Sequence, residues 1–131
     1  VCGKAMMRSG GGRMVFTSSV AAGLGLVNHE AIAAAKGGLE AMVRSAAATY
    51  AKRGLRINAV APSLTETRMA EPMLRSDASR AASEAMVPIG RISQPDEVAT
   101  TMAWLLTGAP DNITGEILHV DGGMGRVRAM G

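Results

Sequence analysis

A titrating group that could move a proton near neutral pH has few candidates in this chain. Histidine can act as acid or base there, and His29, flanked by Asn28 and Glu30, precedes Ile32 by three residues and Lys36 by seven. Those spacings put all three on one helical face if the helix begins early enough. The same histidine also fits a loop position that caps the helix start or points to solvent. Ser18 and Ser19 carry hydroxyls at the end of an apolar run, but no G-x-S-x-G elbow surrounds them. The sequence has no phosphate loop ending in Gly-Lys-Ser/Thr and no strand-linked G-x-G-x-x-G, and Gly23-Leu24-Gly25 is too short to stand for one. The single cysteine, Cys2, excludes a disulfide framework. With the two distant histidines, His29 and His119, it offers no spacing for structural zinc, so no metal site is expected. A reducing, cytoplasmic setting is the corresponding expectation.

The elements that must position these groups follow from hydrophobic pattern and punctuation. Residues 4–8 are helix-compatible, and Ser9-Gly10-Gly11-Gly12 ends that helix. Residues 13–18 form an unalternating apolar run with β-branched and aromatic content, a strand covered on both faces. Residues 31–53 are rich in Ala, Leu, Met and Val, with Lys36, Glu40, Arg44 and Lys52 marking a solvent-side stripe on a long helix that Gly54 stops. A second strand over 55–61 is closed by Pro62. Residues 63–83 read as a polar excursion with short helical pieces, either a lid or a solvated loop. Ser93 caps the next helix, which has Pro95 in its first turn and Asp96 and Glu97 at its positive end, and runs to Leu106. Residues 116–120 make a third strand, ended by Asp121-Gly122-Gly123. This alternation predicts an α/β fold with a parallel sheet, right-handed crossovers and helices on both faces. A strand as apolar as the first would leave an unprotected edge unless another precedes it.

Composition narrows the function classes. Of 131 residues, 47% are hydrophobic and 19% charged, enough for the core of one modest domain. The net charge of +3 comes from fourteen Lys and Arg residues spread along the chain, and the aromatics are one Phe, one Tyr and one Trp. Nucleic-acid binding is not expected, because the basic groups do not cluster and three scattered rings cannot form a stacking groove. No apolar run approaches the roughly 18 residues that span a bilayer, and no export signal is recognised, so no membrane partner is expected.

Five blocks occur in fixed order: Thr17-Ser18-Ser19 at a strand end; Ala33-Ala34-Ala35-Lys36-Gly37-Gly38-Leu39; Arg56-Ile57-Asn58-Ala59-Val60-Ala61-Pro62; Gly90-Arg91 with Pro95-Asp96-Glu97-Val98-Ala99; and Ile113-Thr114-Gly115-Glu116-Ile117-Leu118-His119-Val120-Asp121-Gly122-Gly123-Met124. Together they resemble the C-terminal half of the short-chain dehydrogenase/reductase family, from about Lys4 onward. The resemblance implies the C-terminal half of a Rossmann-type, doubly wound parallel sheet of about three strands. Residues 1–131 would form a single partial domain, without the half that carries the glycine-rich dinucleotide turn.

In that family a serine lies thirteen residues before a tyrosine and a lysine four after it. Ser19 and Lys36 fall on the serine and lysine positions, and the tyrosine position is Ile32. The resemblance gives Ser19 the task of hydrogen-bonding the substrate oxygen and Lys36 that of bridging the nicotinamide ribose hydroxyls. Ile32 has no ionisable group to pass a proton, which leaves His29 as a possible substitute acid or base. Pro62-Ser63-Leu64-Thr65-Glu66-Thr67 occupies the family's Pro-Gly-x-x-x-Thr stretch, with Pro62, Leu64 and Thr67 as cofactor-binding positions and Ser63 where the family has glycine.

The implied activity is NAD- or NADP-dependent hydride transfer to or from a small alcohol or ketone, with a 3-oxoacyl reductase among the forms considered. The alternative is a non-catalytic relative that binds a nucleotide or a partner, or an inactive fragment. Ala33, Gly37, Ala41 and Ala48 would admit a neighbouring helix, and the resemblance implies a homo-oligomer paired there. Met69, Met73, Leu74 and Met86 offer either an adaptable apolar wall for substrate or ordinary core filler.

Overall fold

The computed structural model describes residues 2–128. Helix α1 (Cys2–Arg8) leads into strand β1 (Gly12–Thr17), followed by the long helix α2 (Glu30–Tyr50) and strand β2 (Leu55–Pro62). Helices α3 (Asp77–Ala85) and α4 (Pro95–Thr107) precede the short strand β3 (Ile117–Val120). The three strands are parallel in the order β1-β2-β3, with Thr17 beside Val60 and Pro62 beside Val120, so all three C-terminal ends lie at one edge of the sheet. The expected α/β class and three-stranded parallel sheet are both present.

Alternation along each strand divides the sheet into two apolar faces. On one, Leu55, Ile57 and Ala59 meet Val43 and Ala47 of α2, with Met6 and Met7 of α1 and Met14 and Phe16 of β1 around them. On the other, Val60 meets Leu105 and Ala109, with Val15, Val98, Met102, Leu118 and Val120 packed against them. Helices therefore cover both faces. With the strands in sequential order, this requires the crossover through α4 to have the opposite hand to the crossover through α2. The expectation of right-handed crossovers throughout fails for one of the two. The physical reason is residues 63–94, an excursion long enough to carry the chain over the C-terminal edge of the sheet before α4 begins.

The end of α2 and the start of α4 depart from the sequence reading. Helix α2 stops at Tyr50, and Ala51–Arg53 form a separate tight turn closed by Gly54. Gly54 has φ +78°, and a Cβ there would stand 2.9 Å from the Gly10 carbonyl oxygen, so the turn against residues 10–11 requires glycine. Helix α4 is preceded by Gln94 rather than Ser93 at its cap. Ser93 is engaged elsewhere, paired in an isolated bridge to Thr65 with its hydroxyl 3.2 Å from that of Ser63. The Glu97 carboxylate instead accepts from the Gln94 amide at 2.8 Å. The methionines of the excursion are not core filler: Met69, Met73 and Met86 are exposed.

Candidate active site at the carboxyl ends of the strands

The site begins where β1 runs out. Ser18 continues the ladder by one bond, its amide donating to Val60 O at 2.7 Å. Ser19 stays extended (φ −163°, ψ 153°) and caps a short turn over Val20–Ala22, its hydroxyl accepting from the Ala21 amide at 3.2 Å. Val20 and Ala21 are buried, so this turn is part of the packed body.

Helix α2 lies across the same strand end. Lys36 and Glu40, one turn apart, both reach it: Lys36 Nζ donates to Thr17 O at 2.7 Å, and the Ser18 hydroxyl donates to Glu40 Oε1 at 2.7 Å. Both helix residues are half-buried, while Arg44 and Lys52 are exposed. The stripe read as solvent-facing is thus wet at its C-terminal members only. Glu40 turns inward because the buried Ser18 hydroxyl needs a partner, and Lys36 lies over the exposed Thr17 carbonyl. From the sequence Ser18 is only a strand-end hydroxyl and Glu40 only a member of the solvent-side stripe, and nothing local joins the two.

His29 lies one residue before α2 (φ −116°, ψ 18°), makes no side-chain cap bond and is exposed. Its Nδ1 lies 2.7 Å from the Val27 carbonyl, which can only accept, so that nitrogen carries the proton and Nε2 is the free acceptor when the ring is neutral. No hydrogen bond joins it to Ser19 or Lys36 among the described residues. Ile32, 38% exposed, belongs to neither core cluster.

The end of β2 supplies the other side. Pro62 is half-buried and closes the strand. Leu64 O accepts from the Ser93 amide at 3.2 Å and the Glu66 amide donates to Ser93 O at 2.9 Å, which fixes the stretch after Pro62 against the approach to α4. The amides of Leu64 and Thr65 meet no acceptor among the described residues, and Thr67 is exposed. Ser63 is buried in ordinary β2-end geometry with no positive φ, so serine replaces glycine there without backbone strain.

Charge pairs hold the excursion in place. Arg80 donates to Glu66 Oε1 at 2.6 Å and Gln94 to Glu66 Oε2 at 3.1 Å. These bonds keep the Glu66 carboxyl below its ordinary range, the Arg80 bond most of all. Arg91 grips both oxygens of Glu97, and with the Gln94 amide this lowers the Glu97 pKa to about 2. At β3, Asp121 is buried and accepts from the amides of Gly123 and Gly125, each at 2.9 Å, closing a turn beside Val20. Asn58, also buried, accepts from the Glu116 amide and donates to Ile113 O, tying β2 to the start of β3. Among the described residues no cluster of three metal-ligating side chains occurs, and no helix is long and apolar enough to cross a membrane.

A nicotinamide dinucleotide fits what is present at one end only. A cation at the strand edge and two unspent amides after Pro62 suit ribose hydroxyls and a carboxamide. The 131 residues contain no glycine-rich turn for the pyrophosphate.

Comparison with known proteins gives a consistent result. The family described as enoyl-(acyl carrier protein) reductase matches residues 2–125. The chain is 42% identical over 127 residues to a cis-4-hydroxycyclohexanecarboxylate dehydrogenase of Sinomonas cyclohexanicum, covering 94% of this chain and 50% of that protein. It is 39% identical over 121 residues to the 3-oxoacyl-(acyl-carrier-protein) reductase FabG of Vibrio cholerae, covering 92% and 49%. Its fold matches the crystal structure of a gluconate 5-dehydrogenase from Burkholderia cenocepacia in complex with NADP and tartrate, with a TM-score of 0.89 at 27% identity, covering 95% and 49%. The chain spans about half the length of the curated relatives it matches.

Proposed function

This chain belongs to the short-chain dehydrogenase/reductase family, and from that premise we propose that it forms the substrate-facing half of an oxidoreductase. The reaction is hydride transfer between NAD or NADP and a small alcohol or ketone, and 3-oxoacyl and cyclic hydroxy-acid compounds are the first to try, given the named relatives. The observation that carries the reading is the Lys36 ammonium at 2.7 Å from Thr17 O, at the same strand end as the Ser19 hydroxyl. In this reading residues 1–131 are one partial Rossmann-type domain.

The dinucleotide, when bound, supplies or takes the hydride. Lys36 holds the ribose hydroxyls, exchanging its bond to Thr17 O for them. Pro62 sets the direction of the following turn, and the Leu64 amide and the Thr67 hydroxyl would hold the nicotinamide's carboxamide when the dinucleotide is bound. Ser19 orients the substrate oxygen. Position 32 supplies no proton, and His29, three residues before it and seven before Lys36, is the group offered as acid or base in its place. We place the protein in the cytoplasm as a homo-oligomer, for which the exposed small residues Ala41 and Ala48 on α2 are the support. A second reading, nucleotide or partner binding without turnover, is favoured by one observation, the isoleucine at position 32.

The test is a fusion of this chain behind the glycine-rich dinucleotide half of a relative such as FabG, titrated with NADPH and NADH by fluorescence. Saturable binding is expected in the fusion and none in the 131 residues alone. Lys36→Ala should weaken it about tenfold, the scale of a hydrogen bond to a charged group. A fusion that folds but binds neither nucleotide, or is indifferent to Lys36→Ala, ends the reading.

A further inference from the structure

We propose that Glu40 is a positioning residue for Ser19, acting through the hydroxyl of Ser18. The proposal rests on the reading of Ser19 as the group that holds the substrate oxygen.

Ser18 is 3% exposed and is held from two sides. Its amide donates to Val60 O on β2, and its hydroxyl donates to Glu40 Oε1 on α2, each at 2.7 Å. A carboxylate accepts only, so it fixes the direction of the serine O–H as well as its place. A bond to an ionised acceptor is about twice as strong as a neutral one. The other carboxylate oxygen lies 3.9 Å from Arg44 Nη1, one turn further along α2. One residue before, Thr17 O is held by Lys36. Successive turns of α2 thus hold successive residues of the strand end, and the chain reaches Ser19 already fixed in direction.

Ser19 itself is held by the turn it caps, its carbonyl accepting from the Ala22 amide at 3.0 Å. Its hydroxyl has a single bond, accepted from the Ala21 amide at 3.2 Å, and the residue is half-buried. Where its hydroxyl stands is therefore set by the direction the chain takes at Ser18 together with the turn that follows. Freeing Ser18 from α2 would let the peptide between the two serines rotate, and the Ser19 Oγ would leave the position from which it meets both Ala21 and a substrate oxygen.

The Ala21 amide proton reports this directly, because it points at Ser19 Oγ. Amide exchange at Ala21 is measured by NMR in the 131-residue chain, with the amides of Ile57 and Ala59 in β2 as the reference for global stability. Glu40→Ala and Ser18→Ala should each speed Ala21 exchange about tenfold with the β2 amides unchanged. Glu40→Gln, which keeps an acceptor oxygen, should restore protection. Ser18→Ala removes one hydroxyl only and decides the matter should Glu40→Ala fail to fold. Unchanged exchange at Ala21, or acceleration only in step with β2, overturns the proposal. The readout needs no turnover. An Ala21 response beside a fusion that binds no nucleotide refutes the oxidoreductase reading alone, and a silent Ala21 beside a working fusion refutes the positioning role alone.

Discussion

Replacing Ile32 by tyrosine should create turnover where the native residue gives little. Ile32 and Lys36 are one turn apart on α2, which sets their Cβ atoms roughly 5–6 Å from each other on one helical face. Lys36 already reaches the strand end that carries Ser19, so a phenol at 32 projects toward the same edge of the sheet. The position is 38% exposed and outside both core clusters, so the larger ring displaces no packed side chain. Ile and Tyr have nearly equal helix propensities, and the thermal midpoint should hardly move. A placed general acid contributes about 10²–10⁴ in rate, or about 3–5 kcal/mol off the barrier. The assay is NADPH consumption by the fusion with a panel of ketones, comparing the Ile32 form, Ile32→Tyr, and His29→Ala in the Ile32 form. A rise of about a hundredfold or more with unchanged NADPH affinity is expected. A rise below tenfold, with affinity intact, would refute the argument that position 32 alone withholds the proton. If the Ile32 form already turns over at the tyrosine rate, His29→Ala in that form must abolish it, since no other titrating group precedes Lys36 on that face.

Two further outcomes follow from the packing and the charges. Leu105 is 1% exposed at the centre of the α4 face, so Leu105→Ala should cost about 2–5 kcal/mol in urea unfolding, the range for a truncated core leucine. A loss below about 1 kcal/mol would mean that α4 is not seated on the sheet as described. Glu97 has an ordinary pKa of 4.5 that Arg91 and the Gln94 amide lower to about 2 in the folded chain. Its contribution is therefore complete above pH 4.5 and is lost as pH falls toward 2. Thermal melts across that window should decline for the native chain and decline less for Glu97→Gln.

What the residues announced, and what they hid, divides along physical lines. Strand and helix order was legible because each apolar run is bounded by a residue with one backbone meaning, such as Gly54 with its positive φ or Pro62 at the end of β2. The side of the sheet taken by α4 was not, because handedness depends on how far residues 63–94 carry the chain before the helix starts, and their polar composition holds no record of direction. Ser93 looks like a cap from its type alone. Its actual use, bridging to Thr65 and meeting Ser63, depends on a neighbour some thirty residues away, a separation that local pattern cannot see. Lys36 and Glu40 were misread as wet for the same reason, since charge on a helix usually faces solvent unless a distant strand end needs a donor and an acceptor.

That last point bears on how the site should be weighed. Glu40 satisfies a buried hydroxyl, and a buried polar group left without its partner costs about 1–3 kcal/mol, whereas Lys36 meets the Thr17 carbonyl at an exposed strand end, where water can take its place. Folding alone therefore retains Glu40, whether or not the protein turns anything over. Ile32 is under no such constraint: it fills no core and bonds to nothing, so the phenol can be lost there without disturbing its surroundings. A scaffold that has given up proton transfer and one that obtains its proton elsewhere would present the same Ser18 and the same Glu40. The two differ only in what residues 29 and 32 do, and substitutions at those two positions separate an enzyme from a binding protein.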